Sequence, residues 1–376
     1  MRVDVVDPSA FTPPYDHALC SALGRAGAQV RLQTSRFGYG PVPSADGYER
    51  IERFYRRATA APPGSRRRYA AKLAQHVPDM LAYRRALAGD AGVDVVHFQW
   101  LTVQPVDVHL LPRGRPLVIT AHDVLPREPR RGQLAAQRRL YERADAVVVH
   151  SEHGRARLVE ALGIAPGKVR VIAHGAFEHL TRVAGARALP DELAAVDGPV
   201  VLCFGLMRPY KGLDVLLDAW REAELDAELW IVGMPRMEIA ALRAAAPPSV
   251  RWVPRFVGDD EVGAFFRRAD LVVLPYREID QSGVLFTALA FGRPLLLSAV
   301  GGFPEVARHG AAALVPPGEP LALAQQLRRL VGDGDARARL AAGARAAAAG
   351  PYSWDAIAAA HLELYRSLAA AGAGRQ

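Results

Sequence analysis

The sequence predicts an α/β protein made of two doubly wound parallel-sheet domains, and three observations predict it. Short apolar runs of three to six residues recur, bounded by Gly, Pro, Asp or His, as strands buried on both faces are. A longer stretch with helical spacing follows each run. The alternation runs twice, starting afresh after Gly198-Pro199. At 376 residues the chain exceeds one ordinary core, which agrees with two domains of roughly 150–200 residues each.

In the first half the expected strands are 3–6, 30–32, 93–98, 117–121, 146–150 and 169–172. In the second half they are 200–204, 229–232, 250–253, 271–274, 295–297 and 313–315. Leu213, Leu216, Leu217 and Trp220 fall at i, i+3, i+4 and i+7, one face of a helix. Residues 176–198 hold no sustained period, which places the domains at 1–180 and 199–350 with a linker at 181–198. The tail 351–376 is amphipathic again: Trp354, Ile357, His361, Leu364, Tyr365 and Leu368 share a face that must dock on something. One segment breaks the alternation. Residues 48–85 are rich in arginine interleaved with Tyr48, Phe54, Tyr55, Tyr69 and Tyr83, and carry a Pro-Pro-Gly loop at 62–64. That composition fits a solvated helical face, or a dock for an anionic membrane surface through residues 50–85.

Half of the residues are hydrophobic and 23% are charged, a globular balance. The formal charge of +8 favours anionic partners: nucleotide phosphates, acidic lipid or nucleic acid. No nucleic-acid module accompanies it, so nucleic acid is not expected. Cys20 and Cys203 read as buried, reduced thiols, too few for a disulfide framework or a cysteine metal site. No signal-peptide core and no run of about 18 apolar residues is present, which predicts a cytoplasmic protein, soluble or peripheral at the inner face of the membrane.

Several chemistries are excluded. Asp7-Pro8 stands after the first strand where a dinucleotide fold would carry G-x-G-x-x-G. The string GIAPGK at 163–168 is one residue short of a P-loop and reads as a helix C-cap and turn. No H-E-x-x-H or G-x-S-x-G occurs. His150 and His153 flank Ser151, which reads as the cap of a helix from Glu152 and not as part of a metal site.

What remains is a set of strand-to-helix junctions in the second half: FGLMRPYKG at 204–212, REIDQSGV at 277–284 and AVGGFPEV at 299–306. Such junctions leave backbone N–H groups pointing outward at the positive end of a helix dipole. With Gly205, Arg208 and Lys211 on the first of them, the set suits a diphosphate. Gln281, Ser282 and Gly283 lead into the helix, with Ser282 as N-cap and Gly283 letting a phosphate approach the backbone. Glu278 and Asp280 are placed to grip sugar hydroxyls. In the first half, His122 and Asp123 follow a strand, Gln99 ends another, and Tyr15, Asp16 and His17 on the first loop are available to an acceptor.

The residues FGLMRPYKGLDVLLDAW, ADLVVLPYREIDQSGVLFTALAFGRP and AVGGFPEVARHG, with VVHFQWL, VITAHD and ADAVVVHSEHGRARL, resemble the retaining glycosyltransferases of family four. The resemblance implies the GT-B architecture, two facing Rossmann-like domains. It implies a nucleotide-diphosphate-sugar donor on the C-terminal domain and a glycan, lipid-linked or small-molecule acceptor on the N-terminal one. It further implies Arg208 and Lys211 on the diphosphate, the backbone of Ser282, Gly283 and Val284 beside them, His122 meeting the transferred sugar, and a last helix crossing back to the first domain. No cofactor and no metal is expected, since no Asp-x-Asp stands at a strand end; the resemblance further implies that the donor's own phosphate takes the acceptor proton, so that no carboxylate base is needed. The second of two family glutamates is replaced by Thr287 or Ala288, the first being Glu278 or Asp280, and Thr-Pro-Pro-Tyr-Asp replaces the glycine-rich first loop. A non-catalytic nucleotide-sugar-binding module and a nucleotide-sugar epimerase are the alternative readings.

Overall fold

The computed structural model describes residues 1–40, 42–62, 64–126 and 131–373. Pro63 of the predicted Pro-Pro-Gly loop and the last three residues of the predicted tail lie outside them. The chain divides into two compact units, one of residues 1–173 with the terminal helix from Trp354, the other His174–Ser353.

The first unit runs β1 (Arg2–Asp7), α1 (Pro13–Arg25), β2 (Gln29–Ser35), β3 (Glu49–Phe54), α2 (Arg66–Ala88), β4 (Val95–Phe98), α3 (Gln104–Leu110), β5 (Leu117–Thr120), α4 (Gln133–Arg143), β6 (Ala146–Val149), α5 (Glu152–Leu162) and β7 (Val169–Val171). Its seven strands are parallel in the order β3-β2-β1-β4-β5-β6-β7. Val5 pairs with Leu32 on one side and His97 on the other. The order reverses at β1 and β4, so their carboxyl ends open a crevice, the usual ligand position in such sheets. Strands β4, β5 and β6 are buried at every residue. Twelve expected strands appear; β3 is the additional one, an edge strand reading ERIERF with only Phe54 buried.

Helix α1 covers one face of this sheet together with the terminal helix, α14 (Trp354–Ala373), which comes after the second unit in the chain. Trp354, Ile357, Leu364 and Tyr365 are buried against Val3, Val5, Val95 and Leu19. The face read from the sequence is thus the docking face. His361 sits within it, fully buried, donating from Nδ1 to the Ile357 carbonyl at 2.9 Å.

The second unit opens with irregular chain and α6 (Asp191–Ala194), then runs β8 (Val200–Phe204), α7 (Leu213–Ala223), β9 (Glu228–Val232), α8 (Ala240–Ala244), β10 (Val250–Val253), α9 (Asp259–Arg268), β11 (Leu271–Leu274), α10 (Gly283–Ala290), β12 (Leu295–Ser298), α11 (Phe303–Ala307), β13 (Ala312–Val315), α12 (Pro320–Gly332) and α13 (Gly334–Ala349). Its six parallel strands follow β10-β9-β8-β11-β12-β13, reversing at β8 and β11. The segment 174–198 packs on this unit: Phe177 N–H donates to the Phe286 carbonyl, and Arg187 N–H to that of Asp260. Leu213, Leu216, Leu217 and Trp220 are all buried on α7.

Candidate active site

In the second unit the turn after β8 is shaped by close backbone approach. Gly205 has φ +106°, and a Cβ there would lie 2.8 Å from Lys211 Nζ and 3.0 Å from Val284 Cγ2. Gly233, at the end of neighbouring β9 with φ +140°, would drive a Cβ into the Gly205 carbonyl. Gly212, with φ +66°, lets the start of α7 pass the Pro275 carbonyl. These glycines let three strand ends crowd together where a side chain would part them.

Lys211 is 7% exposed, and its ammonium lies 5.0 Å from the centre of the Tyr276 ring. Burial pushes the Cys203 thiol up to about 11, and the Lys211 charge opposes that rise. Gly205, Lys211, Tyr276 and Val284 therefore meet at the N-terminus of α10. Ser282 occupies the N-cap position, yet its hydroxyl caps nothing; it faces the Tyr276 hydroxyl at 3.5 Å. This corrects the expectation of a side-chain cap. The Thr287 hydroxyl donates to the Gly283 carbonyl at 2.9 Å. Gly301, with φ +55°, seats the third junction against the Ile279 carbonyl, and Gly302 N–H reaches the Asp280 carbonyl at 3.4 Å. Gln281 and Asp280 are half-buried on that loop, and Glu278 is exposed.

Arg208 is exposed, with no carboxylate at ion-pair distance among the described residues. Arg277, three residues past β11, is different: it grips Asp214 through two bonds of 2.9 and 2.5 Å and is neutralised.

In the first unit the residues expected around an acceptor divide. His122 is half-buried at the end of β5, stacked on Trp100 at 4.8 Å and met edge-on by Tyr15 at 4.8 Å. Its Nε2 faces Gln99 Oε1 at 3.0 Å and its Nδ1 faces His150 Nε2 at 3.2 Å. His150 Nδ1 lies 3.0 Å from the Ile172 carbonyl. Gln99 is fully buried, where it faces His122 and lines the cavity behind it. The expected availability of Tyr15 and Asp16 to an acceptor is corrected. Residues from Pro13 onward are helical, and Tyr15 and Asp16 are 2% and 1% exposed. Burial, with the Asp7 carboxylate alongside, raises Asp16 well above the usual carboxylate range. His17 is half-buried and bonds Tyr48 at 3.1 Å.

Behind His122 lies a cavity of about 140 Å³, lined among others by Trp100, Gln104, Asp123, Gln137 and Tyr141. Gln137 Nε2 donates to the Val124 carbonyl at 3.1 Å, which fixes the amide orientation; its Oε1 and that of Gln104 are buried with no hydrogen-bond partner among the described residues. The sequence reading missed Trp100, His150, Gly233, Tyr276 and this cavity. The first four carry a signal: each stands one or two residues past the end of an apolar strand.

Ser151 caps α5, its hydroxyl accepting from Gly154 N–H at 3.0 Å, and Gly163 ends that helix with φ +64°, as the sequence predicts. Residues 198–333 match the family described as glycosyl transferases group 1, and residues 15–176 match glycosyltransferase family 4. A D-inositol 3-phosphate glycosyltransferase of Salinispora arenicola is 31% identical over 316 residues, covering 74% of this chain and 69% of its relative. The chain belongs to glycosyltransferase family 4. The glycosyltransferase has the GT-B fold: it superposes on a sucrose-phosphate synthase from Thermosynechococcus elongatus with a TM-score of 0.74, at 22% identity, covering 99% of this chain and all of that one. The Anabaena protein HepE in complex with UDP gives 0.72 at 20% identity, covering 98% and 100%.

Proposed function

We propose that this glycosyltransferase moves a sugar, with retention of configuration and without a metal, from a nucleoside-diphosphate sugar to an acceptor hydroxyl. One observation carries the reading: the Lys211 ammonium lies against the bare Gly205 turn beside Val284, at a helix N-terminus whose cap hydroxyl is turned away. An ammonium, exposed Arg208 and first-turn amides supply positive potential where a diphosphate gains charge as its bond to the sugar breaks. Glu278, Asp280 and Gln281 lie on the adjacent loop to orient sugar hydroxyls. His122 meets the transferred sugar, and the cavity behind it takes acceptor hydroxyls. The Salinispora relative, named for a glycosyl transfer to an inositol phosphate, supports an acceptor of the polyol class. HepE, solved with UDP, supports a nucleotide donor.

Titration calorimetry of a nucleoside-diphosphate panel tests the donor half. Lys211→Ala should weaken the preferred diphosphate by about 1.5–3 kcal/mol, the range for a hydrogen bond to a charged group. Wild-type affinity in that variant would remove Lys211 from the site. Transfer follows from product analysis by NMR, where an inverted anomer would overturn retention. Binding without transfer to any polyol would favour the binding-module reading.

The protein is further proposed to sit in the cytoplasm and dock on anionic membrane through α2. Tyr69, Leu73 and Val77, at i, i+4 and i+8, are 66, 47 and 38% exposed, and Arg66 and Arg67 begin the same helix. Among the described residues no helix is long and apolar enough to cross a membrane. Failure to cosediment with phosphatidylglycerol vesicles at low salt would remove this idea.

A further inference from the structure

Not all of the basic residues on α2 face solvent. Arg68 is 6% exposed, and among the described residues its guanidinium makes one hydrogen bond, to the Ala61 carbonyl at 3.2 Å. The Tyr39 ring lies 5.9 Å away. The 35–40 loop is built around this group: a Cβ on Gly38 would lie 2.7 Å from Nη1, so the backbone closes directly over it. Arg68 lines a recess of about 560 Å³ that Arg36 and Thr59 line too. One helical turn on, half-buried Lys72 lies over the Tyr55 ring at 5.1 Å. Burial, with the Arg68 charge adding to it, lowers the Lys72 ammonium; Asp7 is the opposing charge. Among the described residues no carboxylate stands at ion-pair distance from Arg36, Arg68 or Lys72.

Taking a charge out of water without a partner is costly, and like charges side by side add to the cost. In the same unit partly buried Arg31 is matched, lying between Asp4 and Asp90 at 2.7 Å each. We infer that Arg36, Arg68 and Lys72 form a binding site for a compact dianion of the phosphomonoester class. Resting on the transferase reading, that dianion is the charged group of the acceptor, held on the unit that carries His122. A guanidinium fork and an ammonium are the donors that phosphate oxygens ordinarily meet.

The sequence supplies a direct assay, because it contains three lysines. Lys72, outside the recess but one helical turn from Arg68 and feeling its charge, reports on this site, Lys211 on the donor turn, and Lys168, bonded to the Glu142 and Ala144 carbonyls, on neither. Trace acetylation of the intact protein, read by mass spectrometry at constant ionic strength, measures all three at once. Inorganic phosphate should slow Lys72 by about tenfold at saturation, since a neighbouring opposite charge raises an amine pKa by about one unit. Lys168 should not change. Arg36→Gln, at an exposed position that the fold tolerates, should weaken the protection, as should Arg68→Gln if it folds. An unchanged Lys72 rate, equal slowing of Lys72 and Lys168, or full protection in Arg36→Gln would overturn the site. Protection by phosphatidylglycerol vesicles but not by phosphate would place Lys72 beneath a docked membrane and overturn it as well. The readout needs no turnover, so a chain that transfers no sugar would still show it.

Discussion

The Ile172 carbonyl can only accept, so the His150 nitrogen facing it carries the hydrogen. Burial pushes His150 down to about 4, which keeps the ring neutral near pH 7 and leaves Nε2 with its lone pair. His122 Nδ1 must then be the donor across their 3.2 Å contact. With Gln99 oriented as it is, His122 Nε2 donates too and the ring is a cation; with the amide turned over, the ring is neutral and Nε2 accepts. Either way Nδ1 is protonated by arrangement of its neighbours. If His122 meets the sugar, His150 is a positioning residue. His150→Phe should then lower kcat by about tenfold, the worth of one hydrogen bond in the transition state. Nucleoside-diphosphate affinity should be untouched, because Lys211 and α10 belong to the other unit. His150→Gln, which restores an acceptor, should recover part of the rate. Equal loss in both variants, or a loss of donor affinity, would mark the effect as structural damage.

At the scale of elements, legibility followed burial. Strands such as AVVV and LVVL are apolar throughout because both faces of a parallel sheet are covered, and a continuous apolar run survives any error of register. Strand β3 was hidden because an edge strand pairs on one side only and can keep ERIERF, which reads as a charged turn of helix. The same blindness concealed Arg68 and Lys72, since composition counts cations without telling which turn inward. The glycine turns at 205 and 212 were legible because positive φ narrows the residue choice. The start of α1 was not: Thr12-Pro13-Pro14 reads as loop, yet Pro13 and Pro14 sit in the first turn, where a proline costs no hydrogen bond. That one-turn error placed Tyr15 and Asp16 on a loop available to an acceptor. The cavity behind His122 drew on α3, α4 and β5 together, and no local pattern encodes such a meeting.

Taken whole, the molecule carries buried titratable groups of opposite sign in one unit. His97, His150 and His361 all lie in the first unit and are all pushed down, chiefly by burial, His150 and His361 to about 4. Unfolded, each takes a proton near its ordinary value of 6.5, while folded His150 and His361 refuse it until about pH 4. Stability therefore falls as pH drops across that window, by at most about 3 kcal/mol for a single histidine shifted this far. Asp16 acts the other way. Its folded carboxyl keeps a proton that the unfolded chain releases above about 3.8, so its contribution is lost as pH rises. The two kinds of group therefore pull the stability of the first unit in opposite directions over the same acid range. His361 also buries an Nε2 with no partner, so His361→Leu removes an unmatched polar atom as well as a titrating one. Relative to wild type, His361→Leu should gain stability as pH falls from 7.5 to 4.5, whereas Asp16→Asn should gain as pH rises over the same range. Urea titrations read by hydrogen exchange in α14 and β4 peptides keep the measurement on the first unit, where a whole-chain signal would mix two transitions. Differences that stay flat with pH in both variants would mean that these groups titrate normally in the folded chain, and the charge pattern drawn here for the core of the first unit would be wrong.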